Sequence, residues 1–221
     1  GIDMQQKSIL IIGAGGIGGL LLDLISRSIS FSGSFEVKIS IMDGDVVEQR
    51  NLPHQRFSIS DLGNHKVDAL NDYLQHLVNA ADNGVMIDPI CTNFSGKIEL
   101  EEFDLIIVAV DCEEPRRIVH ANATQWLDLR ARGDGFVMWS HLDNLQILDS
   151  LPKLPEGISA SCQLDGAIET GNIQFGFALA AAHGAQWVVQ WLRGGNPPSG
   201  KMYSIHMGEL PMPEPSQGSV E

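Results

Sequence analysis

A short apolar segment that runs directly into a cluster of glycines constrains the fold of this chain more than any other feature. Residues 8–12 read Ser-Ile-Leu-Ile-Ile, and residues 13–18 read Gly-Ala-Gly-Gly-Ile-Gly. Apolar side chains then recur at helical spacing over residues 17–29. Since a continuous apolar run is typical of a parallel strand covered on both faces, the pattern predicts a strand, a tight turn and a helix.

Strand and helix patterns continue to alternate after this unit. We predict strands at residues 35–42, 85–90, 105–110 and 136–140, and helices at residues 65–80, 114–129 and 172–192. Such alternation is typical of a mostly parallel sheet with helices on both faces. The sequence therefore predicts an α/β, Rossmann-like, doubly wound fold.

The C-terminal half carries a signal for a different strand pairing. Asp143 and Asn144 separate the apolar segments 137–141 and 145–149. A polar pair of this type between two apolar segments predicts a hairpin turn. We therefore expect an antiparallel portion in the C-terminal half of the sheet.

The length of 221 residues favours one large domain, because domains usually contain about 100–200 residues. We place this domain at residues 1–210, with an irregular, proline-interrupted connection at residues 151–162. Residues 211–221 are rich in proline and polar side chains, so we expect a disordered tail.

Charge and cysteine content exclude several functional classes. The chain carries 14 Lys plus Arg against 28 Asp plus Glu, a net charge of −14. Such a surface repels phosphate backbones and anionic lipids, so neither a nucleic acid nor a membrane is an expected partner. The three cysteines form no Cys-x-x-Cys pair, which excludes a disulfide framework and a cysteine zinc site within one chain. No apolar run reaches the roughly 20 residues that span a bilayer, and we expect a cytoplasmic protein.

The glycine segment itself points to a nucleotide. It contains Gly-x-Gly-x-x-Gly between a predicted strand and a predicted helix, where backbone N–H groups at a helix N-terminus can meet a phosphate. Close packing of a strand against a helix also selects glycine, so both interpretations stay open. Asp43 ends the second predicted strand, where dinucleotide-binding domains place the acid that contacts a ribose. An NAD(P)-dependent oxidoreductase is therefore one alternative.

Polar and cationic residues beyond Asp43 favour a triphosphate over a dinucleotide. Asp45 is followed by residues 51–56, which read Asn-Leu-Pro-His-Gln-Arg, and then by Lys66 at the start of a predicted helix. Lysine and arginine are the usual partners of phosphate oxygens, and a nicotinamide site does not require such a cluster.

In their order along the chain, these residues resemble the ThiF/MoeB-type adenylyltransferases, the family that includes the catalytic domains of ubiquitin-activating enzymes. That family combines a Gly-x-Gly-Gly-[Ile/Leu]-Gly turn, an Asp at the end of the second strand, an Asn-Leu-x-Arg-Gln segment, a Lys that begins the next helix, and an Asp shortly before an Arg. The matching positions here are residues 13–18, Asp43, residues 51–55, Lys66, Asp111 and Arg116. The resemblance covers residues 8–192 and implies a minimal, stand-alone bacterial or phage-type member.

The resemblance implies a site for ATP and Mg²⁺. It places Asp43 on the ATP ribose, Asn51 and Lys66 near the phosphates, and Asp111 as a catalytic residue that binds the magnesium ion. The other expected nucleotide contacts are Gly13, Gly15, Gly16, Gly18, Asp45 and His54.

One position departs from the family pattern. His54 stands where the family has the Arg of Asn-Leu-x-Arg-Gln, and histidine lacks the permanent charge and planar fork of arginine. Arg56 is our candidate for the catalytic cation that replaces it from two positions further on. The departure also motivates another alternative, a non-catalytic nucleotide-binding partner subunit.

Cys162 is the candidate nucleophile among the three cysteines. Cys91 and Cys112 lie at or next to the ends of predicted strands and are expected to be small buried apolar residues. Cys162 lies in the irregular segment before a predicted helix, where a helix N-terminus would stabilise a thiolate. In the family that it resembles, a cysteine of this region can attack the adenylate and hold a thioester.

The resemblance also implies a reaction and partners. The expected reaction is adenylation of the C-terminal glycine carboxylate of a ubiquitin-like or sulfur-carrier protein with a Gly-Gly tail, with thioester formation on Cys162 as a possible second step. We also expect a homodimer, because the last predicted helix region carries four aromatic residues. They are Phe175, Phe177, Trp187 and Trp191.

Overall fold

The chain folds into an eight-stranded sheet with helices on both faces. This is a computed structural model, and it describes residues 5–31, 35–81, 84–148 and 162–213. The strands are β1 (Gln5–Ile12), β2 (Phe35–Met42), β3 (Gly84–Ile90), β4 (Leu105–Val108), β5 (Trp126–Arg132), β6 (Gly135–Ser140), β7 (Lys201–Ser204) and β8 (Gly208–Leu210). The helices are α1 (Gly16–Ser30), α2 (Lys66–Ala81), α3 (Glu113–Asn122), α4 (Leu145–Leu148), α5 (Ala167–Thr170) and α6 (Gly176–Leu192). Single turns of 3-10 helix lie at Gln49–Asn51, Ile59–Asp61 and Leu100–Glu102.

The strand order is β3-β2-β1-β4-β5-β6-β7-β8. Strands β1 to β5 pair in parallel, whereas β5 to β8 pair antiparallel. This arrangement confirms the predicted α/β, mostly parallel sheet with an antiparallel C-terminal portion. Because β1 lies between β2 and β4, the turns that follow these three strands meet at one edge of the sheet.

The two faces of β1 explain why its sequence is apolar throughout. Ile9 and Ile11 belong to a core that packs against α1, α2 and α6. Leu10 and Ile12 belong to a second core on the other face, beside α3. Successive strand residues point to opposite faces, so a strand buried on both sides needs apolar residues at every position.

The predicted helix at residues 114–129 is wrong in its second half. Helix α3 ends at Asn122, and Trp126–Arg132 forms β5 between β4 and β6. In β5, Leu127 and Leu129 alternate with Asp128 and Arg130, and this period of two is the pattern of a strand.

The predicted hairpin is also displaced. The chain reverses between β5 and β6, where Gly133 has a φ of 57°, a left-handed conformation that glycine adopts without strain. Residues 145–148 form α4 and not a strand. Asp143 instead ends β6, because its side chain accepts a hydrogen bond from the Ser140 N–H at 2.9 Å.

Helix α6 buries aromatic residues that we expected at a dimer interface. Trp187 is fully buried and Phe177 is 6% exposed, because α6 packs against α1, β5 and β6. The Trp191 Nε1–H donates to Gln125 at 2.9 Å, and only Phe175 is largely exposed. The burial of Phe177 and Trp187 removes two of the four aromatic residues from the predicted interface, and the homodimer stays a prediction.

Two other expectations concern the whole chain. No helix within the described ranges is long and apolar enough to cross a membrane. Most of the tail predicted as disordered and nearly all of the irregular connection before Cys162 lie outside the described residues. The predicted division at residue 210 stays a prediction.

Candidate active site

The glycine turn joins β1 to α1 at the edge where the parallel strands end. Gly13 has a φ of 104°, and a Cβ there would lie 2.7 Å from the carbonyl oxygen of Ala109. A Cβ on Gly18 would lie 1.8 Å from the carbonyl oxygen of Gly13, so close packing requires a glycine at both positions. Gly13, Gly15 and Gly16 line a cavity of about 800 Å³, whereas Gly18 does not. This volume is within the usual range for small-molecule sites.

Asp43 follows β2 and binds the glycine turn. One of its carboxylate oxygens accepts a hydrogen bond from the Ala14 N–H at 2.8 Å, and the other accepts one from the Asp45 N–H at 2.8 Å. A carboxylate has about four acceptor positions, so each oxygen of Asp43 can still accept a bond from a ligand. Because Asp43 and Asp45 both line the cavity, Asp43 can hold the turn and receive a ribose hydroxyl at the same time.

Lys66 brings a cation to the same cavity from the first turn of α2. It is 6% exposed, and its Nζ lies 3.9 Å from the carboxylate of Asp45. The Lys66 N–H also donates to the Asp45 carbonyl at 3.0 Å, which fixes the start of the helix beside the loop after β2. The ammonium group is therefore held near the glycine turn by local geometry.

His54 lines the cavity as a neutral side chain. It is 9% exposed, and burial followed by the charge of Lys66 lowers the pKa of its imidazole. Its Nδ1 and the Oε1 of neighbouring Gln55 are buried without a hydrogen-bond partner among the described residues. Both side chains line the cavity, so a ligand there can supply the missing bonds. His54 cannot supply the permanent charge of the family arginine.

Two predicted site residues lie outside the cavity wall. The Asn51 side chain accepts a hydrogen bond from the Glu48 N–H at 2.8 Å and so caps a single helical turn. The Arg56 guanidinium forms an ion pair with Asp23, a carboxylate of α1 that is 1% exposed. A buried carboxylate needs a cation beside it, and this requirement accounts for the orientation of Arg56.

Asp111 lines the cavity on a loop that Arg116 holds in place. The guanidinium donates to the Cys112 carbonyl at 3.0 Å and to the Val110 carbonyl, so it contacts the backbone on both sides of Asp111. Arg116 is only 3% exposed, and its Nε donates to Asp128 at 3.0 Å. Arg116 therefore supports the Asp111 loop and does not face solvent.

Asp128 is a buried acid that the sequence analysis missed. It is 1% exposed and lies 3.1 Å from an Arg130 nitrogen and 2.9 Å from His120 Nε2. Burial alone would raise the pKa of Asp128, but the charges of Arg116 and Arg130 and the hydrogen bond from His120 hold it well below its usual range. The alternation of charged and apolar residues in β5 was the available signal.

Other residues that the sequence analysis missed also line the cavity. Asn93 and Phe94 follow β3, and the Asn93 side chain accepts a hydrogen bond from the Gly44 N–H at 3.0 Å. Arg130 and Arg132 reach the cavity from β5. These residues reach the cavity wall only because strands from distant segments pair, and local sequence patterns do not reveal that pairing.

Cys162 lies next to the glycine turn. A Cβ built on Gly16 would lie 3.6 Å from Cys162 Sγ, and the Cys162 carbonyl accepts a bond from the Gly133 N–H at 2.8 Å. Burial, then the negative charge of Asp111, raises the pKa of Cys162 to about 11. The thiol is thus protonated near neutral pH, and the long helix α6 begins only at Gly176, too far along the chain to stabilise a thiolate.

The other cysteines do not behave alike. Cys91 is exposed, contrary to the expected burial, because β3 ends one residue before it. Cys112 is partly buried and lines the cavity, and burial raises its pKa, as does the neighbouring Asp111. Within the described residues no group of three or more His, Cys, Asp or Glu side chains could hold a metal ion.

Comparison with known proteins identifies the fold and the family of this chain. No curated protein sequence matches the chain. The solved structure of PaaA is similar with a TM-score of 0.64 and 19% identity, over 93% of this chain and 64% of PaaA. E. coli MccB with MccA-N7isoASN gives a TM-score of 0.63 and 19% identity, over 97% of this chain and 67% of MccB. E. coli MccB with ATP gives a TM-score of 0.59 and 20% identity, over 97% of this chain and 66% of MccB.

The chain therefore spans about two thirds of the length of these proteins, and the likeness to them concerns the fold. A sequence model described as the ThiF family matches residues 3–216, which is nearly the whole chain. The chain belongs to the ThiF family.

Proposed function

We propose that this chain binds ATP and transfers its adenylyl group to the C-terminal carboxylate of a peptide or small protein. One observation carries the proposal: Asp43, Lys66 and Asp111, which are distant in sequence, line one cavity together with the glycine turn. The cavity thus combines an acceptor for a ribose, a cation for phosphates, and an acid that can hold a metal ion. Lys66 and Asp111 would have no evident task at a nicotinamide.

The proposed reaction needs no covalent help from the protein. A carboxylate oxygen forms a bond to the α-phosphorus, the bond from that phosphorus to the β-phosphate oxygen breaks, and pyrophosphate leaves with the electron pair. Negative charge develops on the phosphate oxygens, beside the Lys66 ammonium and the N–H groups at the start of the 15-residue helix α1. Fixed positive charge at that place stabilises the transition state more than the ground state.

The residues at Asp111 fit a magnesium ion that arrives with the nucleotide. Mg²⁺ is usually held by one or two carboxylates, water and substrate phosphates, so a site with few acids suits it. When bound, the ion would neutralise charge on the phosphates. Arg116 would keep the Asp111 carboxylate facing the cavity, because its guanidinium donates to the backbone on both sides of that residue and is itself held by Asp128.

The substrate class draws support from structural relatives. Crystal structures of MccB are described with MccA, including an N-formylated form. We propose a peptide or protein terminus for this chain on the same grounds. The more specific Gly-Gly tail of a ubiquitin-like or sulfur-carrier protein is implied by the sequence resemblance and stays a prediction.

The thioester step on Cys162 is the least supported part of the predicted reaction. Its sulfur lies beside the glycine turn, and Cys162 lines the same cavity as Asp43, Lys66 and Asp111. The thiol would first have to lose its proton, and the pKa of about 11 opposes this near neutral pH. We therefore propose adenylation as the function, with the thioester as a separate question for experiment.

Calorimetric titration of the purified chain tests nucleotide choice. We expect saturable binding of ATP with Mg²⁺ and none of NAD. The Lys66→Met variant should bind ATP at least tenfold more weakly, since charged hydrogen bonds to phosphate contribute about 1.5–3 kcal/mol. Exposed Lys97 lies outside the cavity wall, so Lys97→Met is the matched control with unchanged affinity. Binding of NAD without ATP would contradict the proposal.

Isotope exchange between pyrophosphate and ATP tests the reaction itself. Adding a mixture of peptides with varied C-terminal residues should start the exchange, and amidated peptides should not, because they lack the attacking carboxylate. We expect Asp111→Asn to lose the exchange while it unfolds at the wild-type temperature. Exchange at the wild-type rate in that variant would remove Asp111 from the reaction.

A further inference from the structure

The cavity continues past the nucleotide end onto one face of the antiparallel strands. Arg130, Val137, Met202 and Leu210 are direct neighbours across β5, β6, β7 and β8, so their side chains form one row on this face. All four line the cavity. The row is apolar except at its β5 end. The glycine turn and Asp43 follow β1 and β2, on the other side of β4 and β5, so a nucleotide there leaves this row uncovered.

Arg132 adds a cation to this face. It lies two residues after Arg130 and therefore points to the same side of the sheet, and the residue opposite it is Gly135, which has no side chain to cover the guanidinium. The Arg132 side chain is exposed and makes no hydrogen bond or ion pair with the residues that the structure describes.

The other cations of the cavity wall are already paired. Lys66, Arg116 and Arg130 each have a nitrogen within 3.9 Å of a carboxylate oxygen. The chain has a net charge of −14, so an incoming acid meets few cations. Among the described residues of this face, Arg132 is the arginine whose guanidinium has no carboxylate beside it, and it attracts such an acid. A planar guanidinium recognises a carboxylate through two parallel hydrogen bonds.

We propose that this face binds the C-terminal segment of the substrate in an extended form and that Arg132 selects an acidic side chain within it. The inference rests on the proposed function, because it assigns the bound segment to the carboxylate donor. The apolar row of Val137, Met202 and Leu210 would contact the uncharged residues of the same segment.

The sheet register indicates where the acid lies. Val108, the last residue of β4, pairs with Asp128, and Arg132 lies four residues further along β5, a distance of about 13 Å. Asp111 follows the end of β4, so the reacting carboxylate would lie near that end. An extended peptide covers the same distance in about four residues, which places the acidic side chain roughly three to five residues from the C terminus.

Fluorescence anisotropy with labelled octapeptides tests the inference. Each peptide has a Ser/Ala sequence with one Leu and carries a single Glu at one of positions two to six from the C terminus. Each has a counterpart with Gln at the same position. With the wild-type chain we expect the Glu peptide to bind about tenfold more tightly than its Gln counterpart at one or more of positions three to five.

Charge reversal supplies the decisive variant. In Arg132→Glu the preference should invert, so that a third version of the peptide, with Lys at the selected position, binds more tightly than the Glu peptide. Arg193→Glu is the matched control at an exposed arginine outside the cavity wall, and it should keep the wild-type preference. Equal binding of Glu and Gln peptides, no binding by either, or a Glu preference that survives in Arg132→Glu would each overturn the inference.

The same samples separate this inference from the proposed function. ATP binding is measured by calorimetry without peptide, and peptide binding is measured without nucleotide. Failure to bind ATP together with an Arg132-dependent Glu preference would contradict adenylation and leave the peptide site standing. Binding of ATP with no Glu preference would contradict the peptide site and leave the proposed function standing.

Discussion

Removal of the buried acid of β5 should destabilise the chain strongly. Asp128 and Arg116 are 1% and 3% exposed and joined at 3.0 Å, so Asp128→Ala leaves a guanidinium charge without its carboxylate. Breaking a buried ion pair by removing one partner costs about 3–5 kcal/mol. Arg130 adds little to this cost, because it keeps a second carboxylate, that of Glu113, at 3.4 Å. For a chain of this length, the loss corresponds to a fall in Tm of roughly 6–20 °C.

Urea unfolding followed by tryptophan fluorescence measures the loss. Arg50→Gln is the control, because the Arg50–Glu48 pair is exposed, and such a pair contributes about 0–1 kcal/mol. The loss in free energy of unfolding caused by Asp128→Ala should stay constant between pH 5 and 8, since the pKa of that carboxyl is held below its usual value and the acid stays ionised there. This loss should shrink only as the pH falls below the unfolded-state pKa of 3.8. A loss no larger than that of Arg50→Gln would refute the reasoning.

Three further predictions concern a thiol, an imidazole and the oligomeric state. At pH 7.5 iodoacetamide should modify exposed Cys91 well before Cys162. The rate of Cys162 modification should keep rising toward pH 11, and equal rates for the two cysteines would refute the raised pKa of Cys162. Burial and nearby Lys201 lower the pKa of His183. Its neutral imidazole therefore makes its full contribution to the free energy of unfolding above the unfolded-state pKa of 6.5, and this contribution is lost as the pH falls below that value. His183→Gln should flatten that dependence of Tm on pH between 5 and 7. Light scattering should give the mass of a dimer that Phe175→Ser weakens, and a monomeric mass at tens of micromolar would contradict the predicted homodimer.

The sequence predicted the elements whose signals are local. The strand at Phe35–Met42 and the helix α2 agree with prediction at nearly every residue, because burial on one or both faces leaves a regular apolar period. Strand β5 was missed because the charged residues Asp128 and Arg130 break its apolar run, although they alternate with leucines. The short strands β7 and β8 have only four and three residues, too few for any period to be visible.

The site was predictable to the extent that a motif fixes position. Asp43, Lys66 and Asp111 were placed by their order along the chain, and all three line one cavity. The pairing of Arg56 with Asp23 was not foreseeable, because residues 33 apart in sequence meet there only after α1 has packed beside the loop. Residue order predicts which side chains share an edge of the sheet, whereas the orientation of a long cationic side chain depends on the nearest unpaired acid.

Restoring the family arginine at His54 tests whether this position faces the phosphates. The imidazole is 9% exposed, and burial and the charge of Lys66 keep it neutral, so the permanently charged side chain of His54→Arg should lower the Tm of the free protein. Phosphates beside the new cation would offset that cost, and a ligand at a fixed concentration stabilises the folded state more when it binds more tightly. ATP with Mg²⁺ should therefore raise the Tm of His54→Arg by more than it raises the Tm of wild type or of the neutral control His54→Gln. If ATP shifts the Tm of the Arg and Gln variants equally, position 54 does not contact the phosphates, and its neutral side chain serves packing against Phe177 instead.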